Sequence, residues 1–177
     1  SPVIDGKTDS MWNKIAGINV WDNVAKINIT LKSCYTSEKI YFLVSFNDPD
    51  ESREHKAWEW NKKEGIYIMN ENREDVFTFK WNMESKPVDL SVYADNAYIT
   101  DIWFWKADRT DPAGYADDKI DKLMFEKAPK STEIRTKTGK TMYLTRESDK
   151  GKTAFEAVVP AEYKAEKIPQ FKHRQPE

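Results

Sequence analysis

DIWFWKADRTDPAGYADD, residues 101–118, has the most unusual composition in the sequence. Its first half alternates aromatic residues with other side chains, and a segment rich in acidic residues, proline and glycine follows at once. Successive side chains of a β-strand point to opposite faces, so this pattern predicts a strand that ends at Lys106 and is followed by a turn. Trp103 and Trp105 are expected on one face, with Ile102, Phe104 and Lys106 on the other.

Lys106 is the residue of this strand that needs an explanation, because it shares a face with two large apolar side chains. A buried ammonium group needs a partner or loses its proton. The pattern by itself favours a simpler arrangement, in which the strand ends at Lys106 and its ammonium reaches water. The sequence leaves both arrangements open.

The alternation of apolar and polar residues recurs along the chain and decides the fold class. Residues 26–32 and 74–81 show it clearly, whereas residues 40–46 are apolar on both faces and are expected to form a central strand. Residues 119–130 are expected to hold one helical turn. Short strands at regular spacing predict an all-β fold, an antiparallel immunoglobulin-like β-sandwich with long irregular loops that spans residues 1–177 as a single domain. The side chains expected to be mostly buried are Ile27, Ile29, Leu31, Phe42, Val44, Phe77, Phe79 and Trp103.

Composition excludes several classes of function. The net charge is −2, which gives no electrostatic basis for binding nucleic acid or an anionic membrane. No apolar run is long enough to span a bilayer. The single cysteine, Cys34, excludes an internal disulfide and the CxxCH attachment of a c-type haem within these residues. With only two histidines, a catalytic triad or a zinc site based on histidine is not expected.

Two kinds of binding site stay open from the residues alone. Carboxylates from Asp108, Asp111, Asp117 and Asp118 could supply the oxygen ligands of a Ca²⁺ site, although their spacing does not match an EF-hand. The alternative is that Asp108 and Asp111 organise the turn by accepting backbone N–H bonds, with Arg109 paired to a nearby carboxylate. Tryptophans such as Trp58 and Trp60 could stack on sugar rings, although tryptophans more often belong to the core.

Four segments together resemble a known family. VIDGKTDSMW (residues 3–12), YTSEKIYFLVSFNDPDES (35–52), EDVFTFKWN (74–82) and DIWFWKADRTDPAGYADD (101–118) are similar to the ethylbenzene dehydrogenase γ-subunit-related haem-binding domain. That domain also occurs in dimethyl sulfoxide reductase-like complexes and is related to DOMON domains and to carbohydrate-binding modules. The resemblance implies a β-sandwich that holds one haem b between a methionine and a lysine. It also implies a periplasmic or extracellular location and electron transfer between a molybdenum enzyme and a soluble cytochrome.

The resemblance implies candidate cofactor-binding residues at matching positions. The lysine of the WxWK run falls on Lys106, beside Trp103 and Trp105. The methionine is expected in the loop after EDVFTFKWN, where the chain has Met83; Met69 is the second candidate and His55 is a reserve ligand.

The resemblance weakens after residue 120, and the closing strands of the family are not visible. Residues 160–177 are therefore expected to pack loosely or to lie against another chain that completes the strands, so that the domain is incomplete at its C-terminal end. The implied partners are other redox subunits or cytochromes. The alternative function is a haem-free structural or carbohydrate-binding module.

Overall fold

The computed structural model describes residues 1–148 of the 177-residue chain. The chain divides into two compact units, Ser1–Glu51 and Ser52–Glu177. All strand pairs in the described residues are antiparallel, and these residues contain no α-helix. The predicted all-β, antiparallel class is therefore confirmed. The tail, residues 160–177, expected to pack loosely or against another chain, lies outside the described part.

The first unit is a three-stranded sheet preceded by a 3₁₀ helix, Ser10–Lys14. Its strands are β1 (Ile18–Asp22), β2 (Ile27–Tyr35) and β3 (Ile40–Phe46), in the order β1-β2-β3. The turn between β1 and β2 is fixed by the Asp22 carboxylate, which accepts the backbone N–H groups of Val24 and Ala25 at 2.7 and 2.9 Å. The prediction of a central strand over residues 40–46 is wrong within the described residues, because β3 lies at the edge of this sheet.

The second unit contains a hairpin and a five-stranded sheet. The hairpin pairs β4 (Trp58–Asn61) with β5 (Ile66–Met69). The strands of the sheet follow the order β6-β7-β8-β10-β9. Their bounds are β6 Val76–Asn82, β7 Tyr98–Lys106, β8 Asp117–Met124, β9 Thr132–Arg135 and β10 Thr141–Ser148.

The expectation of a helical turn within residues 119–130 is wrong for the first part of this segment, because Asp117–Met124 form strand β8. Its sequence, DDKIDKLM, is mostly charged and lacks a run of apolar residues, so local propensity did not indicate a strand. The strand forms because it lies between β7 and β10 and is paired along both edges. Leu123 and Asp121 point to the buried face, while Ile120 is exposed.

The fully buried core of the second unit surrounds Tyr98 and Leu123, both with no exposed surface. This core is built mainly from β7, β8 and β10, at the end of β7 opposite to Lys106. All eight side chains predicted to be mostly buried are largely buried, although none of them is fully buried. The core members are Ala94, Tyr98, Leu123, Met142 and Leu144, with Val88, Leu90, Ala97 and Ile134 packed against them.

Candidate functional site

The candidate site is built around Lys106, the last residue of β7, which is 4% exposed. The strand ends at Lys106 as predicted, but the ammonium does not reach water. Its Nζ contacts the Asp117 carboxylate on β8 and lies 4.7 Å from the centre of the Phe104 ring. The expectation that this side chain reaches solvent is therefore wrong, whereas the shared face of Lys106 and Phe104 is confirmed.

A second lysine shares the same carboxylate. The β7–β8 register places Phe104 opposite Asp117 and Ile102 opposite Lys119. Lys119 Nζ lies 3.0 Å from Asp117 Oδ2 and 5.3 Å from the centre of the Phe104 ring. Two cations therefore meet one carboxylate beside an aromatic ring.

This arrangement makes Lys106 an unusually weak base. Burial, together with the nearby charges of Lys119 and Arg109, lowers the pKa of Lys106 from 10.5 to about 7. Burial also lowers the pKa of Lys119. Burial therefore favours the neutral amine of Lys106, which is the form that can donate a lone pair to a metal, whereas the Asp117 carboxylate in contact with Nζ favours the ammonium.

The turn after β7 is held by Glu74, whose side chain is 1% exposed. Its Oε2 accepts the backbone N–H groups of Asp108 and Arg109 at 2.8 and 3.0 Å, and its Oε1 contacts the Arg109 guanidinium. The predicted pairing of Arg109 with a carboxylate is confirmed. Thr110 completes the turn, since its Oγ1 accepts the N–H of Lys106 at 2.9 Å and donates to the Lys106 carbonyl at 3.1 Å.

The four carboxylates proposed for calcium have separate partners. Asp108 Oδ2 accepts the backbone N–H of His55 at 3.2 Å, and Asp111 binds Trp105 Nε1 and Arg53 Nη1, both at 3.0 Å. Asp117 forms ion pairs with Lys106 and Lys119. Asp118, on β8, lies opposite Trp103 of β7. Within residues 1–148, no three His, Cys, Asp or Glu side chains are grouped so that they could hold a metal ion. The calcium hypothesis is therefore not supported by the described residues. The expectation that Asp108 and Asp111 organise the turn by accepting its backbone N–H groups is also wrong, because Asp108 accepts an N–H from outside the turn and Asp111 binds two side chains.

Met83 lies far from Lys106. The β6–β7 register pairs Val76 with Lys106 and Asn82 with Thr100, and the N–H of Met83 donates to the Ile99 carbonyl at 3.1 Å. Seven residues of extended strand separate the two positions, a distance of about 23 Å. Two ligands of one metal, each at about 2 Å, would lie only about 4 Å apart. The predicted Met83–Lys106 ligand pair is therefore wrong, and the Met83 side chain is 62% exposed.

His55 and Met69 occupy different surroundings. His55 Nδ1 lies 3.3 Å from Glu74 Oε1, and its backbone N–H binds Asp108, so it belongs to the network that holds the turn after Lys106. Burial and the Arg109 charge lower the pKa of His55, which favours the neutral imidazole. Met69 is partly buried at the end of β5, opposite Trp58 in the hairpin.

The predicted tryptophans fall into two groups. Trp103 packs against Phe79 and Trp81 on β6, with ring centres 6.4 and 5.3 Å apart, on the face of β7 opposite to Lys106. Trp105 shares that face and binds Asp111. Neither tryptophan therefore lines the face that carries the Lys106 side chain. Trp60 lies on the hairpin, 5.0 Å from Tyr67 and 45% exposed.

Sequence reasoning missed Glu74 and Lys119 as members of the site. Glu74 is the first residue of the predicted strand 74–81, and Lys119 is the first residue of the segment expected to hold a helical turn; neither stands out by type. The only available signal was that a buried Lys106 would require an acidic partner, but the sequence does not state which of thirty acidic residues lies beside it. The β7–β8 register supplies that information.

Comparison with known proteins gives one match. A family model described as ethylbenzene dehydrogenase matches residues 9–172, which is most of the chain. No curated protein and no solved structure matches the chain. Among the described residues, no helix has the length and apolar character needed to cross a membrane.

Proposed function

The chain belongs to the ethylbenzene dehydrogenase family, and from this premise we propose that it is an electron-transfer domain that binds a b-type haem through Lys106. The observation that carries the proposal is a buried lysine with a pKa of about 7 at the end of the aromatic strand β7. A lysine ligates iron only as the neutral amine, and this environment provides that form near neutral pH.

Apolar side chains and a second cation beside Lys106 support the proposal. Ile102 and Phe104 share its face of β7 and supply apolar surface. When Lys106 releases its proton, the Asp117 carboxylate keeps a cationic partner, because Lys119 lies 3.0 Å away. The loss of the Lys106 charge therefore leaves no isolated buried carboxylate, a state that would be strongly unfavourable.

His55 is the best supported second ligand. Its Nδ1 faces Glu74 at 3.3 Å, which leaves Nε2 for a metal; histidine ligands commonly donate their other ring nitrogen to a carboxylate in this way. Met69 is the alternative, since a thioether ligand would favour ferrous iron and raise the reduction potential. A haem with two protein ligands supplies one-electron transfer and has no open position for a substrate.

The test is a visible absorption spectrum of the purified protein after haem is added. We expect a Soret band and a six-coordinate spectrum. Lys106→Leu removes the amine and should allow the ferrous protein to bind carbon monoxide, whereas Lys119→Leu, a matched change beside the same carboxylate, should not. His55→Phe and Met69→Leu identify the second ligand in the same assay. Absence of a Soret band would disprove haem binding, and wild-type behaviour of Lys106→Leu would exclude Lys106 as ligand.

We propose further that the domain works in the periplasm or outside the cell, together with other redox subunits or a cytochrome. Family membership supports this proposal, since it links the chain to a redox enzyme. Fractionation of source cells followed by affinity purification of the tagged protein is the test. Recovery from the cytoplasm without a redox partner would contradict it.

One observation favours the second candidate, a haem-free carbohydrate-binding module. Trp60 is 45% exposed and its ring lies 5.0 Å from Tyr67 across the β4–β5 hairpin, which forms an aromatic surface suited to stacking on a sugar ring. Glycan pull-down with the wild-type protein and Trp60→Ala tests this function. Retention of glycan by the wild type alone, together with no haem binding, would favour it over the electron-transfer domain.

A further inference from the structure

Four donors surround the Glu74 carboxylate. It is nearly inaccessible to solvent, and its two oxygens face two backbone N–H groups, the Arg109 guanidinium and the His55 ring. Hydrogen bonds to an ionised acceptor are stronger than those between neutral groups, and a buried carboxylate with this many donors is held firmly.

These donors come from two different segments. Asp108 and Arg109 belong to the turn that follows β7, whereas His55 belongs to the segment before β4. Backbone bonds of Asp75, next to Glu74, connect the same two segments: the N–H of Ala107 donates to the Asp75 carbonyl at 3.0 Å, and the N–H of Asp75 donates to the Ser52 carbonyl at 2.8 Å. The turn after β7 is therefore connected, through hydrogen bonds, to residues on both sides of the β4–β5 hairpin.

The turn after β7 begins directly after Lys106. Thr110 Oγ1 and the Thr110 N–H both bind backbone atoms of Lys106, so the position of residues 107–110 determines the direction in which the end of β7 points. The side chain of Lys106 reaches Asp117 from that end. A shift of the turn would consequently move the amine relative to β8.

We propose that Glu74 is the positioning residue of the Lys106 site: it holds the turn after β7 so that the Lys106 amine stays buried on the Phe104 face. The proposal concerns the haem site and in that respect rests on the proposed function, but the placement of the amine can be measured without haem. Glu74 does not touch the amine, and its effect acts through residues 108–110.

The experiment compares two matched substitutions in haem-free protein. Glu74→Gln removes the charge that holds the turn. Glu84→Gln is the control, because Glu84 Oε1 also accepts a backbone N–H of β7, that of Ile99 at 2.8 Å, but at the far end of the strand. Each protein is treated with N-hydroxysuccinimidyl acetate, and the acetylation rate of Lys106 is followed by mass spectrometry.

We expect Glu74→Gln to raise the acetylation rate of Lys106 by about tenfold, since loss of a hydrogen bond to a charged group favours local opening by about that factor or more. Glu84→Gln should change the rate by less than about twofold, because the opening it causes is at the other end of β7. Equal rates in both variants, or a rate in Glu74→Gln that matches the wild type, would overturn the proposal.

Two further measurements keep the outcome decisive. If Glu74→Gln does not fold, hydrogen exchange of the wild type replaces it: the amides of Asp108, Arg109 and Lys106 should be protected to the same degree, and rapid exchange of the first two would overturn the proposal.

In haem-loaded protein, Glu74→Gln should lose part of its six-coordinate spectrum while Glu84→Gln retains it. A wild type that binds no haem disproves the proposed function alone, and the acetylation result then still decides the role of Glu74.

Discussion

The buried amine of Lys106 should make the folding stability of the haem-free protein depend on pH in a defined direction. The pKa of Lys106 is about 7 in the folded protein and 10.5 as the ordinary value. Between these two pH values the unfolded chain binds a proton that the folded protein has released. The free energy of unfolding therefore rises as the pH increases through this window. Below pH 7 Lys106 is charged in both states, so the full energetic cost of burying the charge lowers the stability.

The magnitude follows from the same two values. A pKa difference of one corresponds to about 1.4 kcal/mol, so Lys106 contributes at most about 5 kcal/mol to the increase in the free energy of unfolding between pH 7 and 10.5. Lys106→Met keeps a long apolar side chain and removes the titrating group. Asp117 retains Lys119 as a partner at 3.0 Å, so the substitution leaves no unpaired carboxylate.

The measurement is urea unfolding followed by tryptophan fluorescence at several pH values between 6 and 10. We expect Lys106→Met to be at least as stable as the wild type at pH 6, and the difference to shrink or reverse as the pH rises. The exposed Lys86→Met variant is the control and should follow the wild-type curve. Parallel curves for the wild type and Lys106→Met would refute the argument, since they would show that Lys106 does not change its proton affinity on folding.

Three further outcomes are expected, each measured by chemical or thermal unfolding. Tyr98→Phe should stabilise the protein by about 1 kcal/mol, because the buried hydroxyl has no hydrogen-bond partner in the part of the chain that the structure describes; a loss of stability would reveal such a partner. Leu123→Ala should destabilise it by about 2–5 kcal/mol through a cavity in the core, and a loss below about 1 kcal/mol would contradict the assigned core. Lys56→Gly should stabilise it by about 1 kcal/mol, since Lys56 has a φ of 52°; Lys62→Gly, at another exposed lysine, serves as the control.

The fold class and the main strands follow from the amino-acid sequence alone. Alternation of apolar and polar side chains is a local property, so β2, β6 and β7 could be located from neighbouring residues alone. The same local rule placed Lys106 and Phe104 on one face, and the pairing of Arg109 with a carboxylate followed from turn chemistry. The resemblance to the ethylbenzene dehydrogenase family likewise came from residues that stand next to each other in the chain, and the match to residues 9–172 confirms it.

The way in which these strands combine into a site could not be predicted from the sequence and is seen only in the assembled sheet. The β6–β7 register placed Met83 about 23 Å from Lys106, and the β7–β8 register placed Asp117 and Lys119 beside it. The charged strand β8 and the buried Tyr98 and Leu123 also emerged only from the sheet, since their burial depends on neighbours distant in sequence. Strand register is set by contacts between residues far apart in the chain, and a shift of two residues keeps every side chain on its face while changing all of its partners. Local pattern therefore predicts which face a residue occupies, whereas its partners require the assembled sheet.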